Sequence, residues 1–98
     1  MLNSKQRAKL RSQAMSLSPI FYIGKLGITD EIINQLENAI NARELIKLGV
    51  QEASDYDARE AADMIAPRLG AEVVAVIGRK FVLFRRSKDE KKRVIELD

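Results

Sequence analysis

Ile20-Phe21-Tyr22-Ile23-Gly24-Lys25-Leu26-Gly27-Ile28-Thr29 is the stretch on which the reading of this chain turns. Residues 20–23 are an apolar run of strand length, the Gly-x-x-Gly quartet is a sharp turn with a lysine at its tip, and Thr29 is a helix cap. Two glycines let the backbone bend tightly and bring N–H groups to the surface with no Cβ in the way. The helix beyond adds the partial positive charge of its N-terminus. Lysine is a compact cation suited to a phosphate oxygen. Gly24, Lys25, Leu26 and Gly27 therefore form a candidate grip on a nucleic-acid backbone. A tight strand-to-helix turn with a solvated lysine satisfies the same four residues.

Working outward, Ser4 is expected to cap a first helix running to about Met15 or Ser16, with Leu10, Ala14 and Leu17 facing the core. Arg7 and Arg11 flank one side of that stripe, Lys5 and Lys9 point to solvent, and Ser18-Pro19 ends the helix. After Thr29, Ile32, Leu36, Ala39 and Ile40 make a core stripe with Ile33 at its edge, and the helix should end near Ala42 or Arg43. Residues 44–50 read as a buried strand and 51–56 as a loop. Asp57 with Glu60 is a capping-box pattern opening a third helix, whose apolar face is Ala58, Ala61, Ala62, Ile65 and Leu69. Pro67 predicts a kink or a loosened last turn before Gly70. Residues 72–77 and 80–85 are β-rich runs separated by Gly78-Arg79, a type II′ hairpin pattern. Residues 87–98 read as a flexible or loosely docked tail, in which Val94-Ile95-Glu96-Leu97 can return as a short strand or docked segment. The expected fold is α/β (α+β): a single domain over residues 1–98, ordered α-β-α-β-α-β-β, with a four-stranded mixed sheet carrying helices.

Composition narrows the function classes. At 98 residues there is room for one core. No apolar run approaches the ~18 residues needed to cross a bilayer, and the first residues lack the apolar region of a secretory signal. With no cysteine there is no disulfide framework and no thiolate chemistry. With no histidine the commonest general base and metal ligand is missing as well. A cytoplasmic protein that is not an enzyme and carries no metal or cofactor is expected. The net charge of +3 hides a segregated pattern. Residues 1–27 carry five basic and no acidic side chains, residues 28–78 four basic and ten acidic, and residues 79–98 eight basic and four acidic. If the two ends meet in space, the molecule has a basic face and an acidic one.

Helix 1 with Lys5-Gln6-Arg7, then Ile23-Gly24-Lys25-Leu26-Gly27-Ile28-Thr29, Glu44-Leu45-Ile46-Lys47, Val76-Ile77-Gly78 and Val82-Leu83-Phe84-Arg85, resembles the CRM domain (chloroplast RNA splicing and ribosome maturation). The short chain is similar to the bacterial stand-alone, YhbY-type members. The resemblance implies an RNA-binding protein that associates with 23S rRNA in precursors of the large ribosomal subunit and assists ribosome assembly. Ribosomal proteins are further implied partners. It also implies a fold similar to the C-terminal domain of bacterial translation initiation factor 3. Arg43, Leu48-Gly49 and Pro67 depart from the family pattern, and none of them touches the glycine loop.

The candidate RNA contacts are thus Gly24, Lys25, Leu26 and Gly27, the helix 1 cations Lys5, Arg7, Lys9 and Arg11, and the hairpin-tip pair Arg79 and Lys80. Arg7 and Arg11 can equally snorkel beside the core stripe, and Arg79 and Lys80 can be plain solvated turn residues. Arg85 and Arg86 fall on opposite faces of their strand. The five aromatic residues Phe21, Tyr22, Tyr56, Phe81 and Phe84 mostly read as core. Recognition is therefore expected on the helix–loop surface, through backbone charge and RNA shape, and not by stacking on the sheet. A DNA-binding module lacks a polar recognition helix here. A protein-interaction adaptor, using the acidic middle of the chain to meet ribosomal proteins, is the alternative. A monomer without membrane association is expected.

Overall fold

The first helix is capped one residue earlier than its sequence suggests. In the computed structural model, which describes residues 2–93 and 95, the Asn3 side chain accepts the Gln6 amide at 2.8 Å and Gln6 Oε1 accepts the Asn3 amide at 3.1 Å. This reciprocal box satisfies orphan donors of the first turn and leaves Ser4 as the first residue of α1 (Ser4–Ala14). Beyond Ala14 the chain tightens into i→i−3 turns at Met15, Ser16 and Leu17. The tightening swings Leu17 off the helical stripe, and it ends 36% exposed, while Leu10 and Ala14 are buried as expected.

The remaining elements are β1 (Phe21–Ile23), α2 (Asp30–Arg43), β2 (Leu45–Val50), α3 (Ala58–Leu69), β3 (Glu72–Ile77) and β4 (Lys80–Phe84), followed by a single 3₁₀ turn, Glu90–Lys92. The sheet order is β1-β2-β4-β3, with β1 parallel to β2 and the other neighbours antiparallel. The α+β domain with a four-stranded mixed sheet is as its sequence implies.

Strand alternation divides the core in two. Ile46, Leu48, Val50, Phe81 and Leu83 face α2 and α3, whereas Leu45, Val74, Val82 and Phe84 face α1 through Leu10 and Ala14. One helix therefore covers one side of the sheet and two cover the other. On α2 the buried stripe is Ile33, Leu36 and Ile40, with Ile32 and Ala39 only partly covered, so Ile33 lies at the centre of the stripe and Ile32 at its flank. In α3, Asp57 and Glu60 form the expected capping box. The helix runs through Pro67 to Leu69, at the cost of the one hydrogen bond that an amide at position 67 would donate to the carbonyl four residues back. Gly70, at φ +65°, then closes it, and the Ala71 amide reaches the Ala66 carbonyl at 2.9 Å.

Glu44 joins α2 to β2 with φ +65° and a fully buried side chain. Its carboxylate accepts the Ser87 amide at 2.8 Å and the Ile95 amide at 3.1 Å, with Arg86 Nη1 at 3.9 Å. Ser87 is itself buried. Of the segment Val94-Ile95-Glu96-Leu97, only Ile95 lies within the described residues.

Candidate nucleic-acid interface

Residues 24–27 form a hydrogen-bonded turn, with the Gly27 amide donating to the Gly24 carbonyl at 3.0 Å. Gly27 sits at φ +75°, a conformation in which any Cβ is strained, so its glycine is required by the backbone. Gly24 carries no such constraint: a Cβ there would stand 2.6 Å from Oε1 of Gln51, the tip of a flexible, exposed side chain that can move aside. Lys25 and Leu26 occupy the tip, and Leu26 is 90% exposed. The Gly27 amide is spent inside the turn, whereas those of Lys25 and Leu26 have no partner among the described residues. The start of α2 is less electropositive than a bare helix end. Thr29 Oγ1 accepts the Ile32 amide at 3.2 Å, and Asp30 and Glu31 occupy the first turn. Attraction of an anion to this loop therefore falls chiefly on Lys25 and the free turn amides.

The parallel pairing of β1 with β2 brings the loop to the same end of the sheet as the β3–β4 hairpin. The Gln51 amide donates to the Ile23 carbonyl, and the Val50 amide to the Arg79 carbonyl, both at 2.8 Å. The hairpin loop is Gly78-Arg79 between the paired residues Ile77 and Lys80, with Gly78 at φ +59°. Lys25, Leu26, Arg79 and Lys80 are thus gathered, all of them exposed, at one end of the molecule. Arg79 lies 3.7 Å from Glu52, in a solvent-exposed pair of little energetic weight.

The helix 1 cations divide. Arg11 and Met15 line a hollow with Lys47, Ile77 and Val82, and an adjoining hollow carries Lys47, Ile77 and Val82 on to Lys80. Arg11 is thereby joined to the hairpin tip through Lys47. Arg7 is not: its guanidinium donates to the Val73 carbonyl, next to the irregular β3–β4 pairing between Val73 and Ala75 and at the opposite end of β3. Lys5 and Lys9 are exposed on the flank of α1 away from Arg7 and Arg11.

Ion pairing sharpens the map. Arg59 is paired with Asp63, Arg68 with Asp30, Arg85 and Lys88 with Glu37, and Arg86 with Glu44. Arg85 is nearly buried and also donates to the Leu69 carbonyl at 2.8 Å and to Asn41. Its hydrogen bond to Glu37 holds that carboxyl below the ordinary carboxylate range. Lys5, Lys9, Arg11, Lys25, Lys47 and Lys80 have no ion-pair partner among the described residues. In the acid-rich layer Arg59, Arg68 and Arg85 are paired and Arg43 is not, whereas Lys25, Lys47, Lys80 and Arg11 on the loop, the α1 side of the sheet and α1 are left for an external anion.

Lys47 is a further member of this surface, although residues 44–50 read from their sequence as one buried strand. Alternation was the missed signal: Ile46 and Leu48 point to α2 and α3, so the residue between them must face the other side.

The geometry matches known proteins over nearly the whole chain. The CRS1 / YhbY (CRM) domain family matches residues 2–85. "Probable RNA-binding protein YqeI" of Bacillus subtilis is 40% identical over 91 residues, spanning 93% of this chain and 95% of its own length. "Probable RNA-binding protein MJ0652" of Methanocaldococcus jannaschii is 34% identical over 93 residues, spanning 93% of this chain and 69% of its own. The solution structure of the Staphylococcus aureus protein SAV1595, described as a candidate RNA-binding protein, superposes with a TM-score of 0.77 at 38% identity, covering 98% of this chain and 100% of that one. The chain shares its fold with that protein, and it belongs to the CRS1/YhbY (CRM) domain family.

Proposed function

We propose that this protein binds RNA, and that its target is 23S rRNA within precursors of the large ribosomal subunit, whose assembly it assists. The observation that carries the reading is the exposed Lys25 tip at the same end of the sheet as Lys80, with Lys47 and Arg11 adjoining Lys80 on the α1 side, none of them ion-paired among the described residues. Relatives that match almost end to end and are named as RNA-binding proteins support it. An array of cations on a turn, a hairpin and a helix suits phosphates and the shape of folded RNA. The protein is read as a cytoplasmic monomer that binds and does not catalyse, with ribosomal proteins as secondary contacts.

The test is sedimentation of the tagged protein through a gradient of cell extract with and without RNase. Movement with large-subunit precursors that RNase abolishes supports the proposal. Association that survives RNase and high salt favours an adaptor that docks on basic ribosomal proteins through the acidic α2–α3 layer. The bidentate hold of Arg85 on Glu37 weakens that second reading, since this acid is already engaged.

A further inference from the structure

Tyr22 is the one aromatic side chain that the described fold leaves in the open. It is 46% exposed, whereas Phe81 and Phe84 are buried and Phe21 and Tyr56 pack against the core. Its partner in the parallel pairing is Gly49, and a Cβ at Gly49 would lie 2.5 Å from Tyr22 Cε2. The ring therefore occupies the place that a side chain at position 49 would take, supported by β2 and otherwise open to solvent. Beside it is an open cleft of about 500 Å³, lined by Tyr22, Gln51, Arg79 and Lys80 with Val50 and Glu52, a size typical of small-ligand sites. The same Gln51 side chain touches Gly24, so the cleft adjoins the glycine turn.

We propose that this cleft is a subsite for an unpaired RNA base. The base stacks on Tyr22, the Gln51 carboxamide offers it one donor group and one acceptor, and the flanking phosphates meet Lys80 on one side and Lys25 on the other. Three kinds of group converge that a nucleotide needs together: an aromatic face, an amide and cations. The proposal rests on the RNA-binding reading above and adds the strand state of the RNA, single-stranded at this point. It also brings the sheet into recognition, where charge alone had pointed to the helix and loop. Covering Gly49 is a structural duty that an aromatic neighbour can perform without any ligand, and the test must separate the two.

The probes are a short oligouridylate, its abasic counterpart and a fully paired RNA duplex. Tyr22→Phe keeps a ring and should bind oligouridylate like the wild type. Tyr22→Leu still covers Gly49 but stacks poorly, and should weaken that binding roughly 5- to 100-fold. The salt dependence should stay unchanged, because no phosphate contact is lost. The abasic strand should bind the wild type no better than oligouridylate binds the Leu variant. Tyr22 and Tyr56 are the only tyrosines and there is no tryptophan, so in a Tyr56→Phe background the emission of Tyr22 should be quenched by oligouridylate and not by the duplex. That measurement decides the matter if Tyr22→Leu does not fold. Unquenched emission, or equal affinity of a folded Leu variant, with RNA still bound, overturns the subsite and leaves RNA binding standing. A wild type that binds neither these probes nor structured rRNA overturns the reading beneath it.

Discussion

Lys25 and Glu37 carry opposite charges with opposite purposes, and two substitutions separate them. Lys25 is exposed at the tip of its turn with no ion-pair partner among the described residues, so its charge does little for folding. Lys25→Glu should leave the urea midpoint within what ~0.5 kcal/mol allows while weakening RNA binding strongly, and an unaltered affinity would reduce the loop to a mere turn. Glu37 works inward. Arg85 donates to its two oxygens at 2.8 and 3.0 Å, and that hydrogen bonding depresses its pKa below the ordinary 4.5. A carboxyl whose folded pKa lies below its unfolded one stabilises the fold fully above the unfolded value, and loses that contribution as pH falls through the folded one. Glu37→Gln should therefore lower stability by about 1–2 kcal/mol at neutral pH, a range for a charge-assisted bond partly screened by solvent. The gap between variant and wild type should narrow as pH drops below 4.5. Urea titrations at neutral and acid pH give both numbers, and a gap that stays constant would assign Glu37 to packing alone.

At the scale of elements, α1 does two jobs along its length, which the wheel of its sequence cannot distinguish. Arg7 and Arg11 are i and i+4 on one flank, yet Arg7 is tied to the Val73 carbonyl and Arg11 opens toward Lys47. Arg11→Ala should flatten the log–log salt dependence of RNA binding by about 0.7 to 0.9, one phosphate contact. Arg7→Ala should leave the slope alone and cost about 1–3 kcal/mol of stability, as expected when a hydrogen bond to a charged donor is lost. A slope lowered equally by both variants would place both arginines on the RNA. The same element shows where sequence reading succeeds and where it stops. Local rules located α2 and α3, since Thr29, the Asp57–Glu60 box and Gly70 act within one or two turns. They also located the hairpin and the glycine turn. The Asn3 box was missed because two adjacent polar residues compete for one cap, and Leu17 because the helix tightens before reaching it. Alternation along β2 was enough to turn Lys47 to the α1 side, but Tyr22 was illegible for a deeper reason. Its exposure depends on how far the short α1 reaches over its side of the sheet and on β1 lying beside β2, both of them tertiary facts.

At the scale of the molecule, charge is layered as well as patterned along the chain. The α2–α3 layer pairs Arg59, Arg68, Arg85 and Lys88 with its own acids, while the loop, the hairpin tip and the C-terminal half of α1 present cations at one end of the sheet. Such a molecule has a defined orientation toward a polyanion, with the acidic layer turned away. The contacts proposed here are phosphate-directed, plus one stacking ring, so little sequence preference is available from the domain itself. Selectivity must then come from the shape of a partly folded RNA and from proteins already bound to it. That requirement is met by an assembling large subunit, in the function proposed here, and it yields a prediction in cells. Cells lacking the protein should accumulate large-subunit precursors, most visibly in the cold, where misfolded RNA helices escape more slowly. Restoring the wild-type chain should clear them, and restoring Lys25→Glu should not, although both proteins fold. Gradient profiles that stay normal without the protein, together with no co-sedimentation with any ribosomal particle, would remove the ribosome from this account and leave a general RNA binder whose target lies elsewhere.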